Sequence, residues 1–196
     1  EYLPIPLQIT YEGIQRTETL KKQQKQVKMK VPEISKENYN DQNEKIITTG
    51  ISIKNAGIVI MNSYISMLFE RLSIVKSSEF ISQEAQQKAA HYIQYIITGQ
   101  ESTEEHFLSL NKVLCGIPIH EPVITGIKVS DTEKQLIEGL INACINYWSA
   151  IGSCSINGFR GNWLVRDGLL REEEDRWQLT VEKRPYDILM LKPPFS

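Results

Sequence analysis

Few side chains in this sequence are of reactive types, and their spacing argues against the common uses. His91, His106 and His120 stand 15 and 14 residues apart, with no H-E-x-x-H and no Cys/His ligand pattern, so neither a metal site nor a cofactor is expected. Cys115, Cys144 and Cys154 are an odd number without a C-x-x-C pair, which suits reduced thiols in a cytoplasmic setting better than a disulfide framework. A Cys115 nucleophile served by His106 or His120 is conceivable. Cys115, however, closes an apolar helix in front of Gly116, the place of a buried structural thiol. The four carboxylates Glu172, Glu173, Glu174 and Asp175 could attract a cation, but at a hairpin tip they read as a solvated turn. No G-x-S-x-G elbow, phosphate-binding loop or G-x-G-x-x-G occurs. The expectation is a protein that is not an enzyme.

The most informative stretch is 104–122, EEHFLSLNKVLCGIPIHEP. Ser102-x-x-Glu105 has the form of a capping box opening a helix whose Phe107, Leu110 and Leu114 face a core. Gly116 stands where a left-handed residue would stop that helix, and Pro118 and Pro122 keep the chain from resuming it. A fixed loop, 117–123, is expected to follow, and it is the first place to look for a partner surface. Asn111 and Lys112 fall on the polar side of the helix, so both are expected on the surface.

Apolar periodicity predicts the helices and strands around this stretch. Ile58, Met61, Ile65, Leu68, Leu72 and Val75 recur every three or four residues and predict one core helix. A second helix is marked by Ser82 as N-cap, Ala85, Ala89, Tyr92, Ile93 and Ile96 as its stripe, and Gly99 as its end, with Gln83, Gln86 and Gln87 on its wet face. Ser130-x-x-Glu133 opens a fourth helix with Leu136, Ile137, Leu140, Ile141, Cys144, Ile145 and Trp148 as its stripe. Ile51 and Ile53 suggest a short strand. After Gly158, Gly161 and Gly168 the period changes, and the segments 168–171, 177–182 and 186–190 read as strands of a C-terminal antiparallel β-meander. The class is therefore α+β: a small bundle of about four helices with that meander packed on one side. Trp148 and Trp177 are expected in the core, while Trp163 could anchor either the core or an interface.

Composition sets the outer limits. The 196 residues are 41% hydrophobic and 23% charged, enough for one sizeable core, and the net charge of −2 offers no general attraction to nucleic acid or to an anionic membrane. The longest apolar run, 58–61, is far short of a membrane span, and no basic-then-apolar leader opens the chain. Partners are thus expected to be proteins. Residues 16–45 carry eight Lys or Arg against five Asp or Glu with few apolar side chains, so 1–45 is expected as a polar linker or peripheral extension and 46–196 as a single assembly domain. Val27, Met29 and Val31 alternate with lysines and suit a short strand if an edge is available. The opening Glu1, in place of a methionine, suggests a piece of a longer protein.

Several blocks in order add a resemblance. From about Ile51 onward come Asn55-Ala-Gly-Ile-Val-Ile-Met with Leu68-Phe-Glu-Arg-Leu, then Lys88-Ala-Ala-His-Tyr-Ile with Thr98-Gly99, then Glu105-His with Leu110-Asn-Lys-Val-Leu-Cys-Gly and Pro118 to Pro122. Tyr147-Trp148, Ser155, Gly158, Arg166-Asp-Gly168, Leu170, 177–182 and Tyr186-Asp187 complete the series. In this order the chain resembles the contractile injection system tape-measure proteins of phage-tail-like particles. It departs from their pattern at Asn62-Ser63, where a His-Pro pair is expected, and at 193–196, where the pattern runs on into a further strand.

The resemblance implies a structural part of a bacterial contractile machine, involved in tail tube length control and in docking to tail tube, spike or baseplate proteins. It implies a location in the cytoplasm during assembly and inside the particle afterwards, and it leaves a homo-oligomer open. The residues it singles out as partner-binding positions or family markers are Asn111, Lys112, Gly116, Pro118, Glu121, Pro122, Trp163, Arg166, Asp167, Tyr186 and Asp187. An assembly chaperone or general binding module that leaves the finished particle is the alternative.

Overall fold

Residues 7–12 and 50–191 are described by the computed structural model. Strand β1 is Leu7–Glu12 and strand β2 is Ile51–Ile53, where Ser52 faces out and Ile53 is buried. A tight 3-10 turn over Ala56–Met61 then leads into helix α1, Asn62–Arg71. The single helix expected from Ile58 is thus divided. Ala56, Gly57, Ile58, Val59 and Met61 are all buried, so the turn has no polar face to give to solvent. Val75 has also left the helix. It belongs to β3, Val75–Lys76, which pairs with β4, Glu79–Phe80, through a two-residue turn with Ser77 and Ser78 both at positive φ.

Helix α2, Gln83–Thr98, runs between its expected signals: Ser82 Oγ accepts from Ala85 N at 3.1 Å, and Gly99 is left-handed. From Ala89 to Ile97 every residue is buried, which makes α2 the central helix of the domain. Helix α3, Ser109–Leu114, is shorter than expected and is preceded by a 3-10 turn, Glu105–Leu108. The capping box at its start does not form. Ser102 instead pairs with Gly126 in an isolated antiparallel bridge, and the Glu105 carboxylate goes to Lys112. The second capping box does form on helix α4, Asp131–Tyr147, with Ser130 and Glu133 satisfying each other's backbone N–H groups.

Two further differences lie near the C-terminus. A short helix α5, Ile156–Phe159, capped by Ser155, continues into a wide π turn, Arg160–Leu164, where the glycines had suggested only a break. Strands β5, Gly168–Glu172, and β6, Trp177–Glu182, form the expected hairpin, but 185–191 is a 3-10 segment rather than a third meander strand. Asp187 Oδ2 accepts from Arg184 N at 2.8 Å while Asp187 N donates to Arg184 O at 3.0 Å, so the chain turns on itself at once. The sheet takes its outer strands from earlier in the sequence, in the order β1-β6-β5-β2, with β1 parallel to β6 and the other pairs antiparallel.

The class is α+β. Trp177, Leu179 and Val181 point from β6 into one core shared with the helices, while Gln178, Thr180 and Glu182 take the opposite face. Between Glu173 and Arg176 the hairpin tip closes with an ion pair at 2.6 Å, the solvated turn the sequence suggested. Of the segment expected as an extension, only β1 is described; the proposed strand at Val27–Val31 lies outside the described residues.

Candidate docking site and the polar network behind it

The loop that follows α3 is held from inside. Gly116 is left-handed at φ 70, Ile117 N donates to Lys112 O at 2.8 Å, and Glu121 N donates to Pro118 O at 3.0 Å. The loop's carbonyls still need donors, and Lys112 provides them. Its Nζ donates to Ile119 O at 3.0 Å, to Glu121 O at 2.8 Å and to the Glu105 carboxylate. The Lys112 side chain is 3% exposed, so the expected surface position is wrong. Burying an ammonium costs several kcal/mol unless it is paired and fully hydrogen-bonded, and here three acceptors, one of them charged, meet its three N–H groups.

Helix α2 holds the same loop from the other side. Gln86 Nε2 donates to Cys115 O and Gln83 Nε2 to Glu121 Oε1, each at 2.8 Å, so two of the three glutamines of the expected wet face are loop ties. A turn further along, His91 Nε2 lies 2.6 Å from Ile124 O. A carbonyl only accepts, which places the proton on Nε2. Desolvation pushes the His91 pKa down, against a smaller upward pull from that carbonyl. Pro118, His120 and Pro122 remain exposed on the outer side of the loop.

Asn111 is likewise fully buried, not exposed. Its Nδ2 donates to Ala90 O at 2.9 Å and to Gln94 Oε1 at 3.1 Å, while its Oδ1 accepts from Asn55 Nδ2 at 2.8 Å. Asn55 Nδ2 also reaches Phe107 O at 3.2 Å. Three elements, the β2 exit, α2 and α3, therefore meet on amide groups inside the core. Asn55 continues the connection through its backbone, in an isolated bridge with Arg166, where Ala56 N donates to Arg166 O at 3.0 Å.

Arg166 begins the second group. Its guanidinium is fully buried, lies 5.3 Å from the Trp163 ring and 5.6 Å from the Tyr186 ring, and approaches Asp187 Oδ1 at 2.6 Å through Nη2. That approach is close but poorly directed for a hydrogen bond, and among the described residues Nε and Nη1 have no hydrogen-bond partner, so the pair is held by charge and by the two ring faces. Trp163 packs on Trp148 at a tilt, with ring centres 4.4 Å apart, meets Tyr186 edge-on at 5.0 Å and is buried, which makes it a core residue. Asp167 stands apart from both groups, paired with Lys54 at 3.0 Å on the surface.

The structure thus brings Asn111, Lys112, Gly116, Pro118, Glu121 and Pro122 to one loop, and Trp163, Arg166, Tyr186 and Asp187 to a second cluster. Asn55 and Gln94 were missed as the links of the network, although a lone amide inside the apolar stripe of α2 is a readable signal. Arg160 and Arg184 were missed as well. Arg160 donates to Ile96 O at 2.9 Å and Tyr95 O at 3.1 Å, covering the last carbonyls of α2. Arg184 does the same for the π turn, reaching Asn162 O at 3.1 Å and Val165 O at 2.9 Å. Neither has a local sequence signal for this role, because the backbone carbonyls it covers lie far away in the chain.

Burial decides the reading of the thiols. The Cys115 thiol is driven far up from its ordinary pKa by desolvation, and that of Cys144 is pushed up to about 11. A buried thiol of this kind packs, and at neutral pH it supplies no thiolate. Among the described residues no group of three or more His, Cys, Asp or Glu side chains could hold a metal ion, and no helix is long and apolar enough to cross a membrane.

No curated protein and no solved structure matches the chain. The family match extends over residues 5–196, and so takes in β1 and the polar segment for which the sequence blocks began only near Ile51. By this match over nearly its whole length, the chain belongs to the contractile injection system tape measure protein family.

Proposed function

We propose that this domain is the anchoring and assembly module of a tape-measure protein, docking to tail tube, spike or baseplate proteins through the 117–123 loop. It would act in the cytoplasm during assembly and stay in the particle. The observation that carries this reading is the Lys112 ammonium, buried to fix a loop whose outer residues Pro118, His120 and Pro122 are exposed. A loop held in one conformation loses little entropy on binding, which is the useful property for a docking element and of no use to a solvated linker.

The size of the domain supports anchoring over measuring. As one continuous helix the chain would extend about 290 Å at 1.5 Å per residue, whereas a folded unit of this length is only about 40 Å across. A ruler for a tail tube would therefore lie in other sequence joined to this domain, which would tie one end of it to the assembly.

The test is incorporation. Particles assembled with Lys112→Met are expected to lack the protein or to form tubes of irregular length, while the purified variant keeps its circular dichroism and loses amide protection at 117–123. Wild-type incorporation by the variant would remove the loop from docking. Absence of the wild-type protein from purified particles would favour an assembly chaperone.

A further inference from the structure

We propose, building on the docking reading of the 117–123 loop, that the partner presents a Lys/Arg-rich protein surface to this face. The loop does not stand alone. Lys112 reaches both Glu105 and the loop carbonyls, so the 3-10 turn 105–108 lies against the loop and the two form one surface. On that turn Phe107 is 38% exposed with the His106 ring packed at 4.0 Å, and on the loop Pro118 and Pro122 are exposed. The two segments thus offer an aromatic ring and two prolines to a partner.

The rim of this face is acidic. The Glu104 side chain is 79% exposed and Glu121 adds a second carboxylate on the loop itself, while Glu105, 49% exposed, is paired with Lys112. Lys112 is the one buried cation among them, and it is already neutralised by Glu105 and two carbonyls. Among the described residues the Glu104 carboxylate pairs with the His106 Nδ1, at 3.3 Å. A face of this kind repels nucleic acid phosphates and anionic lipid, and it attracts Lys and Arg side chains, whose stems can lie on Phe107 and the prolines while their heads meet the carboxylates. Because the loop is already fixed, charge at the rim should govern how fast the partner is found.

The probe is tail tube and baseplate subassembly purified from cells lacking this protein, titrated with the full chain at low and at high salt. Glu104→Lys is the main variant because it leaves every Lys112 bond in place, and Lys112→Met is its companion. Wild-type binding is expected to weaken as salt rises. Glu104→Lys should bind about threefold to tenfold more weakly at low salt and converge on wild type at high salt. If Lys112→Met abolishes binding while Glu104→Lys and salt change nothing, docking through the loop stands and the basic partner is overturned. If neither variant changes binding, the docking surface lies elsewhere and both readings fall.

Discussion

Asn55 Nδ2 donates to Asn111 Oδ1 at 2.8 Å, joining two residues 56 positions apart inside the core. Asn111 uses both faces of its amide there, since its Nδ2 is bound to Ala90 O and Gln94 Oε1. The carbonyl of Ala90 fixes which way the amide points. Through this one side chain the exit of β2, the central helix and the helix that feeds the loop are held in register.

Asn111→Ala should accordingly remove three hydrogen bonds from a buried network, leaving Asn55 Nδ2 with Phe107 O, and lower stability by about 2–4 kcal/mol. Asn111→Asp keeps the shape but turns an acceptor towards Ala90 O and Gln94 Oε1, so it should be no better. Urea unfolding would show a lower midpoint with little change in slope for both. A wild-type midpoint in Asn111→Ala would mean that the network adds nothing to stability.

The Arg166–Asp187 pair predicts an asymmetry. Asp187→Ala leaves a fully buried guanidinium without its countercharge and should cost about 3–5 kcal/mol, whereas the double variant Arg166→Met with Asp187→Leu should recover much of that loss. Thermal unfolding of the three proteins checks it. Equal losses in the single and double variants would show that the 185–191 segment is held by Arg184 and the aromatic stack instead.

Gly57 is needed for close approach. A Cβ at this position would lie 1.8 Å from Trp163 O and 2.8 Å from Leu164 O, and both are backbone atoms that cannot swing aside. Gly57→Ala should force the 56–61 turn away from the π turn and lower stability by more than about 3 kcal/mol, or prevent folding. Soluble expression and the melting temperature are sufficient readouts.

His91 gives a pH dependence of known sign. Its folded pKa is pushed below the ordinary 6.5, so as pH falls through about 6.5 the unfolded chain takes up a proton that the folded protein refuses, and stability drops. Glu133, whose pKa is lowered by hydrogen bonds from Tyr92 and Ser130 against an opposing desolvation, contributes its own loss only at more acidic pH, below 4.5. Stability measured from pH 7.5 to 5.5 should therefore fall in wild type and stay nearly flat in His91→Gln. A slope unchanged by that substitution would assign the effect to other groups.

Local chemistry is legible in the order of residues alone. Ser82, Gly99 and the Ser130–Glu133 pair mark their helix ends because caps act within one turn, and Trp177, Leu179 and Val181 mark a strand because alternation is local. The ordered blocks carried the family for the same reason: they are strings of neighbours. Contacts between distant segments are set by the fold. Asn111 and Lys112 read as surface residues until Asn55, Gln94 and the loop carbonyls were brought to them from elsewhere in the chain. Tyr186–Met190 had the composition of a strand, yet Asp187 caps its own turn and Trp148 Nε1 takes the Leu189 carbonyl at 3.2 Å, while β2 and β1 occupy the sheet's outer positions. A buried polar group is specified by its partners, and those partners are set by the fold, not by sequence spacing.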